Sequence, residues 1–377
     1  MTTTMDRKRK VAVIFGGRSG EHEVSLMSAR SVLSVIDRER YDVIQIGITH
    51  AGAWLSGEDT LGYLASENKI KPGSVAIFAD PTRKGLYATH AAQQKETLQL
   101  LSDIDVIFPV LHGTFGEDGT LQGLLELADA AYVGAGVLGS SVGMDKGVFK
   151  DVMRANGVPV VESIIVLRAE IEREMDQVIA RAEAIGAYPL FVKPANLGSS
   201  VGVTKCRSRG DLSEGLSEAA RYDRRVLIER GVQNIREIEV SVLGNDNPTA
   251  SVPGEILPGA DFYSYEAKYE LDTSKLIIPA RLKPEHSRRI RDLAVIAFKA
   301  IDCAGMARVD FFMDEKTGEV FLNELNTIPG FTKISMYPKL WEASGLPYAS
   351  LVDRLIDLAL DRKADRDRTV REFRRTA

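Results

Sequence analysis

Residues 11–15 (VAVIF) form an unbroken apolar run that stops at Gly16-Gly17, and then the period changes. Leu26, Ala29, Leu33 and Ile36 recur at helical spacing before a second apolar run at 43–48. A short run without polar alternation reads as a strand buried on both faces. Strand, glycine turn, helix and strand together make a βαβ unit, which commits the start of the chain to a parallel sheet. Residues 106–110 repeat the pattern, followed by a helix near 121–128. Residues 1–140 are therefore expected to be one α/β domain with a parallel sheet, with 50–100 its least regular part.

Beyond it the alternation loosens. A helix is expected at 146–155, a strand at 160–167 and a charged helix at 169–185. Strands are expected at 190–193, 201–206, 226–229, 237–243, 251–257 and 275–279. This strand-rich stretch reads as α+β. Pro284 suits a helix start, and Ile290, Leu293, Ala294, Ala297 and Ile301 form one apolar stripe behind it. Residues 306–313 and 319–326 read as a hairpin, 348–360 as a helix, and 363–377 as a charged, solvated tail.

Composition narrows the function. The 377 residues carry 48 Lys+Arg against 53 Asp+Glu, a net charge of −5, which gives no reason to expect nucleic acid or an anionic membrane as partner. Cys206 and Cys303 form no CxxC, so cysteine spacing offers neither a zinc site nor a disulfide framework. The basic start is followed by too few apolar residues for a signal peptide, and no stretch approaches a membrane span. A cytoplasmic protein is expected.

The last hairpin holds the strongest chemical signal. A turn centred on Thr317 places Asp310 across from Glu324 and Arg308 across from Asn326. Arg308, Asp310 and Phe312 then share one face, as do Leu322, Glu324 and Asn326. Carboxylates opposed at about 5 Å repel unless a cation lies between them. Oxygen donors without His or Cys select Mg²⁺ or Mn²⁺, whose shell is usually completed by water and phosphate. Taken alone, the hairpin reads slightly better as a solvated edge with Arg308 salt-bridged to its acids.

Phosphate signals elsewhere shift that balance. Lys193 ends a strand before Asn196-Leu197-Gly198-Ser199-Ser200, a turn whose N–H groups and hydroxyls suit an anion. It is not a Walker A loop, nor is Gly16–Glu21 a GxGxxG dinucleotide turn, which counts against an oxidoreductase. Glu21 stands where a helix begins, either capping it or holding a cationic amine. His112 opens a second glycine-rich loop. Residues 261–269, aromatic and charged without periodicity, suit a lid.

In order along the chain, FGGRSGEHEVSLMSA, LHGTFGEDGTLQGLLEL, GSSVGMDK, FVKPANLGSSVGV, YEAKY, GMARVDFF and NELNTIPGFT resemble the D-alanine–D-alanine ligases of the ATP-grasp superfamily. The resemblance implies an ATP-grasp fold: a Rossmann-like domain (1–140), a central domain (141–240) and a C-terminal domain (241–362). It implies ATP-dependent joining of two D-alanines through an acylphosphate, for peptidoglycan precursors, by a homodimer, the family's usual form. A D-alanine–D-lactate or D-alanine–D-serine ligase is the alternative.

The resemblance also assigns residues. Asp310, Glu324 and Asn326 would hold two Mg²⁺ (or Mn²⁺) ions. Lys146, Lys193 and Ser200 would contact ATP's phosphates, with Lys268 reaching in from the lid. Glu229 would meet adenine and Glu237 ribose, with Glu239 the alternative at that position. Glu21 would pair with the first D-alanine's ammonium, within a hydrogen-bonded chain of Glu21, Ser199 and Tyr269. Arg308 and the Gly330 N–H would form an oxyanion hole. Ser335 would bind the second substrate's carboxylate, and His112 would position substrate. Tyr269 would favour D-alanine over D-lactate. Ile328 and Arg230 depart from the commonest family pattern.

Overall fold

The computed structural model describes residues 7–92, 95–257 and 275–371. Three sheets follow one another along the chain.

The first is built on β1 (Arg9–Gly16), whose apolar run is completely buried. Helix α1 (His22–Val35) returns the chain to β2 (Tyr41–Ile48). Then come β3 (Trp54–Ser56), α2 (Thr60–Leu64), β4 (Gly73–Ala76), β5 (Leu86–Ala92), β6 (Lys95–Ser102) and β7 (Val106–Pro109). The strand order is β6-β5-β4-β3-β2-β1-β7. Only the β1–β2 and β1–β7 pairings are parallel; β2 through β6 pair antiparallel. The purely parallel sheet expected from the βαβ start thus carries an antiparallel extension. It is made by the stretch whose short strands and polar turns gave no clear period. Helices α3 (Thr120–Leu127), α4 (Val137–Met144) and α5 (Lys146–Ala155) follow.

The second sheet has four strands in the order β10-β9-β11-β8: β8 (Ser163–Leu167), β9 (Leu190–Pro194), β10 (Thr204–Cys206) and β11 (Arg225–Arg230). Two short helices, α6 (Arg168–Arg173) and α7 (Met175–Glu183), replace the single charged helix expected there. The chain breaks at Glu174, whose φ of −138° leaves the helical region. Helix α8 (Arg209–Tyr222) precedes β11.

The third sheet runs β15-β14-β12-β16-β17, with β13 paired to β12. Its strands are β12 (Ile235–Gly244), β13 (Thr249–Ala250), β14 (Gly254–Leu257), β15 (Lys275–Ile277), β16 (Gly305–Asp314) and β17 (Val320–Asn326). Helix α9 (Pro284–Ala300) starts with proline at its first turn and buries Ile290, Leu293, Ala294 and Ala297 against this sheet. Helices α10 (Met336–Ala343) and α11 (Tyr348–Arg366) close the fold. Leu351, Val352, Leu355 and Ile356 of α11 pack into the core of the first sheet. Helix α11 continues past residue 362, and its last turn is anchored: Arg366 pairs with Glu126 at 2.5 Å and Lys363 with Asp129 at 3.4 Å. Among the described residues no helix is long and apolar enough to cross a membrane.

Candidate active site

Three carboxylates form one row across the third sheet. Glu239 of β12 pairs in register with Asp310 of β16, which pairs with Glu324 of β17. Arg308 lies across from Asn326, as the turn count requires. The route to that register differs from the expected one, however. Met313 pairs with Val320, so the turn centres half a residue earlier, and a bulge at Asn323 restores the count before Glu324. The bulge also turns Leu322 to the other face, where it is fully buried opposite Phe311. Leu322 therefore belongs to the core and not to the acidic face.

The hairpin edge is not solvated. Arg308 donates from Nε and Nη2 to the two Asp310 oxygens at 2.8 and 2.7 Å, and its Nε lies 3.0 Å from Glu239. Asn326 donates to Asp310 at 3.0 Å. Burial works against the charged guanidinium, but Asp310 and Glu239 outweigh it and hold Arg308 well above its usual pKa. The expected salt bridge exists, and it joins Arg308 to both Asp310 and Glu239.

A second charge cluster sits on the central sheet. Glu229 of β11, 2% exposed, receives Lys193 of β9 at 2.7 Å on one oxygen and Lys150 of α5 on the other. Burial alone would raise the Glu229 carboxyl; the two ammonium groups overcome it and bring the pKa to about 2. Burial lowers Lys150, while Glu229 outweighs burial at Lys193 and raises it. Because Glu229 is drawn downward, its contribution to stability is complete above the usual carboxylate range and is lost as pH falls towards 2. Lys150→Met should cost roughly 3 kcal/mol at neutral pH, the low end for breaking a buried pair, since Lys193 remains. It should also move acid unfolding to higher pH. Denaturant melts of both proteins from pH 7 to pH 3 test this, and coincident curves would contradict it.

Helix α5 also reaches the glycine–serine loop after β9. Asp145 caps it by accepting from Gly147 and Val148 N–H at 3.1 and 2.9 Å, and pairs with Arg225. Lys146, one turn before Lys150, reaches the Leu197 carbonyl at 2.6 Å. In that loop Ser199 and Ser200 take φ of 51° and 58°. Two successive non-glycine residues in the left-handed region cost about 1–3 kcal/mol each and concentrate at ligand clamps.

The start of α1 meets this loop. Glu21 makes no side-chain cap for α1; it accepts the Ser199 hydroxyl instead. His112 is buried, its Nδ1–H donating to the Ile328 carbonyl at 3.1 Å while Nε2 accepts from Ser28 at 2.9 Å. Burial lowers its pKa, which favours the neutral ring. Ser28 also receives the Phe331 N–H at 3.3 Å, which ties the loop carrying Gly330 to α1. Glu117 accepts the Gly113 N–H at 2.6 Å, and burial, reinforced by Glu21, pushes its carboxyl well above the usual range.

Most of these parts face one cleft of about 1310 Å³, large enough for a nucleotide and a second substrate. Its walls include Glu21, His112, Lys146, Lys193, Ser199, Ser200, Glu229 and Glu237. Arg308, Glu324, Asn326, Gly330 and Ser335 complete the set of sequence-chosen residues that line it. Asp310, held by Arg308, is not among the lining residues. Lys268, Tyr269 and the rest of the expected lid lie outside the described residues.

Comparison with known proteins bears on this cleft. Residues 10–135 match the family described as D-ala D-ala ligase N-terminus, and residues 152–357 match D-ala D-ala ligase C-terminus. The chain belongs to the D-alanine–D-alanine ligase family. A D-alanine–D-alanine ligase from Natranaerobius thermophilus is 50% identical over 368 residues, covering 97% of this chain and 99% of the relative. Among solved structures, a D-alanine–D-alanine ligase from Coxiella burnetii superposes with TM-score 0.79 at 37% identity, covering 96% of each chain. A D-Ala:D-Ser ligase from Enterococcus faecalis gives 0.82 at 37% identity, covering 94% of this chain and all of that one.

Within this ligase family member, sequence reasoning missed Glu239's place beside Arg308, as well as Lys150, Glu117 and Ser28. Glu239 was legible as the inward neighbour of Glu237 at strand period. Lys150 was legible as the residue one helical turn after Lys146. Glu117 and Ser28 carry no local signal; only the folded contacts single them out.

Proposed function

We propose that the cleft divides the labour of D-alanyl-D-alanine synthesis between two charge clusters. The enzyme joins two D-alanine molecules at the expense of ATP. A carboxylate is a poor acyl donor until phosphorylation gives it a leaving group, and phosphoryl transfer needs mainly positioning and charge neutralisation. Lys146, Lys193 and the Ser199-Ser200 turn receive the phosphates, Glu229 and Glu237 lie towards the base and ribose, and Lys268 approaches from the lid. Glu21 accepts the first D-alanine's ammonium, and Ser199 and Tyr269 complete that chain. Arg308 and the Gly330 N–H stabilise charge that develops on the tetrahedral species after the second amine attacks the acylphosphate. Ser335 takes the second carboxylate, and neutral His112 orients substrate.

The donor set around Asp310 fits a hard divalent ion. Asp310 and Glu324 supply carboxylates, the Asn326 amide nitrogen is occupied by Asp310 so its carbonyl oxygen is the available donor, and no His or Cys intervenes. These three residues would hold two Mg²⁺ or Mn²⁺ ions, which neutralise the phosphates when bound. Domain limits near 140 and 240, a homodimer and a cytoplasmic location accompany this reading.

The observation that supports it most is the in-register row Glu239–Asp310–Glu324 with Asn326 beside Asp310. Coupled ADP release with D-alanine as sole amino acid tests it. Turnover should require Mg²⁺, and added D-lactate or D-serine should not displace D-alanine from the product at neutral pH. Metal-independent turnover, or a depsipeptide or D-serine product in excess, would overturn it.

A further inference from the structure

Away from the cleft, the fold brings together two histidines and a glutamate that the ligase reaction does not use. His22 and Glu23 open α1, and His50 sits in the turn between β2 and β3. Neither His22 nor Glu23 lines the cleft that Glu21 enters. The potential ligand atoms of the three residues lie within 4.8 Å of one another, the one such group of His, Cys, Asp or Glu among the described residues.

We propose that His22, Glu23 and His50 form a binding site for a zinc-class divalent ion, separate from the oxygen-lined catalytic cations. The anchor is His22, which is 2% exposed. Its Nδ1–H donates to the Gly17 carbonyl at 2.8 Å, which fixes the tautomer and leaves the Nε2 lone pair as the ligand. Metal-bound histidines characteristically donate their other ring N–H in this way. Nε2 of His50 stands 3.4 Å from a Glu23 oxygen. That matches the roughly 3.4 Å between neighbouring ligands on a tetrahedral ion with bonds of about 2.0–2.1 Å. The His22 and His50 rings are stacked, with centroids 3.7 Å apart and planes at 24°. Two imidazoles on one ion fan apart, so His50 must turn; at 68% exposure it has the room, while His22 stays fixed. Two imidazoles and one carboxylate select zinc, cobalt or nickel over Mg²⁺. Cysteine spacing gave no hint of such a site because no cysteine takes part.

The test uses the full-length protein, free of nucleotide and Mg²⁺, titrated with Co²⁺ and followed by visible absorption, with Zn²⁺ as competitor. An ion held by two imidazole nitrogens in a low-coordinate site absorbs strongly, whereas one on the cleft's oxygens absorbs weakly. One equivalent of strongly absorbing, Zn²⁺-displaceable Co²⁺ is expected. His50→Ala and Glu23→Gln, both exposed positions, should each weaken it at least about tenfold while Mg²⁺-dependent ADP release stays at the wild-type rate. Weak absorption only in the wild type, or wild-type titration by either variant, would overturn the site.

Discussion

Glu324→Ala is expected to slow ADP release on the order of a thousandfold while the protein unfolds at nearly the wild-type temperature. The residue sits at the end of a row of three acids, partly buried and outside the packed core. Removing it relieves repulsion with Asp310 and leaves no apolar cavity, so folding should be little affected. Catalysis loses a carboxylate from the cation site, and metal neutralisation of a phosphoryl group is worth several kcal/mol. At 1.36 kcal/mol per tenfold, about 4 kcal/mol gives that factor. Steady-state turnover beside a thermal melt checks both halves. Near-normal turnover from a folded variant would remove Glu324 from the metal site.

Arg308→Lys should lower kcat by about a hundred- to a thousandfold, the range for losing one oxyanion donor, with a smaller change in KM for ATP. Lysine keeps the positive charge, so Asp310 and Glu239 are not abandoned. It cannot reproduce the two parallel bonds that the guanidinium makes to Asp310 at 2.8 and 2.7 Å. Arg308→Met goes further: it leaves the buried acids without their cation, and removing one partner of a buried pair costs about 3–5 kcal/mol. An effect on KM for ATP alone in the lysine variant would make Arg308 a binding group rather than a stabiliser of the developing oxyanion.

Much of this architecture was legible in sequence because its signals are local. The buried run of β1 and the proline-started α9 with its apolar stripe follow from period, and the Asp310–Glu324 pairing was expected from the turn although a bulge brings it about. The bulge at Asn323 was not legible, since one extra residue leaves no mark on the strand's composition; it moved Leu322 to the core and set Glu324 opposite Asp310. Helix α8 was missed although Ser208 accepts the Asp211 N–H as its N-cap, because its two glycines and scattered polar residues blur the apolar stripe. Contacts between residues far apart in sequence, such as Ser28 with His112, Glu21 with Ser199 and Lys150 with Glu229, lie beyond any local pattern. The Glu21–Ser199 link came from family resemblance rather than from period.

A crystal soaked with ADP and Mn²⁺, with the ions located by anomalous scattering, tests the central claim most directly. The account predicts manganese bonded to Asp310, Glu324 and Asn326, with the diphosphate bridging from those ions to Lys146 and Lys193. Manganese and diphosphate bound together elsewhere, with Arg308 still closed on Asp310, would contradict it.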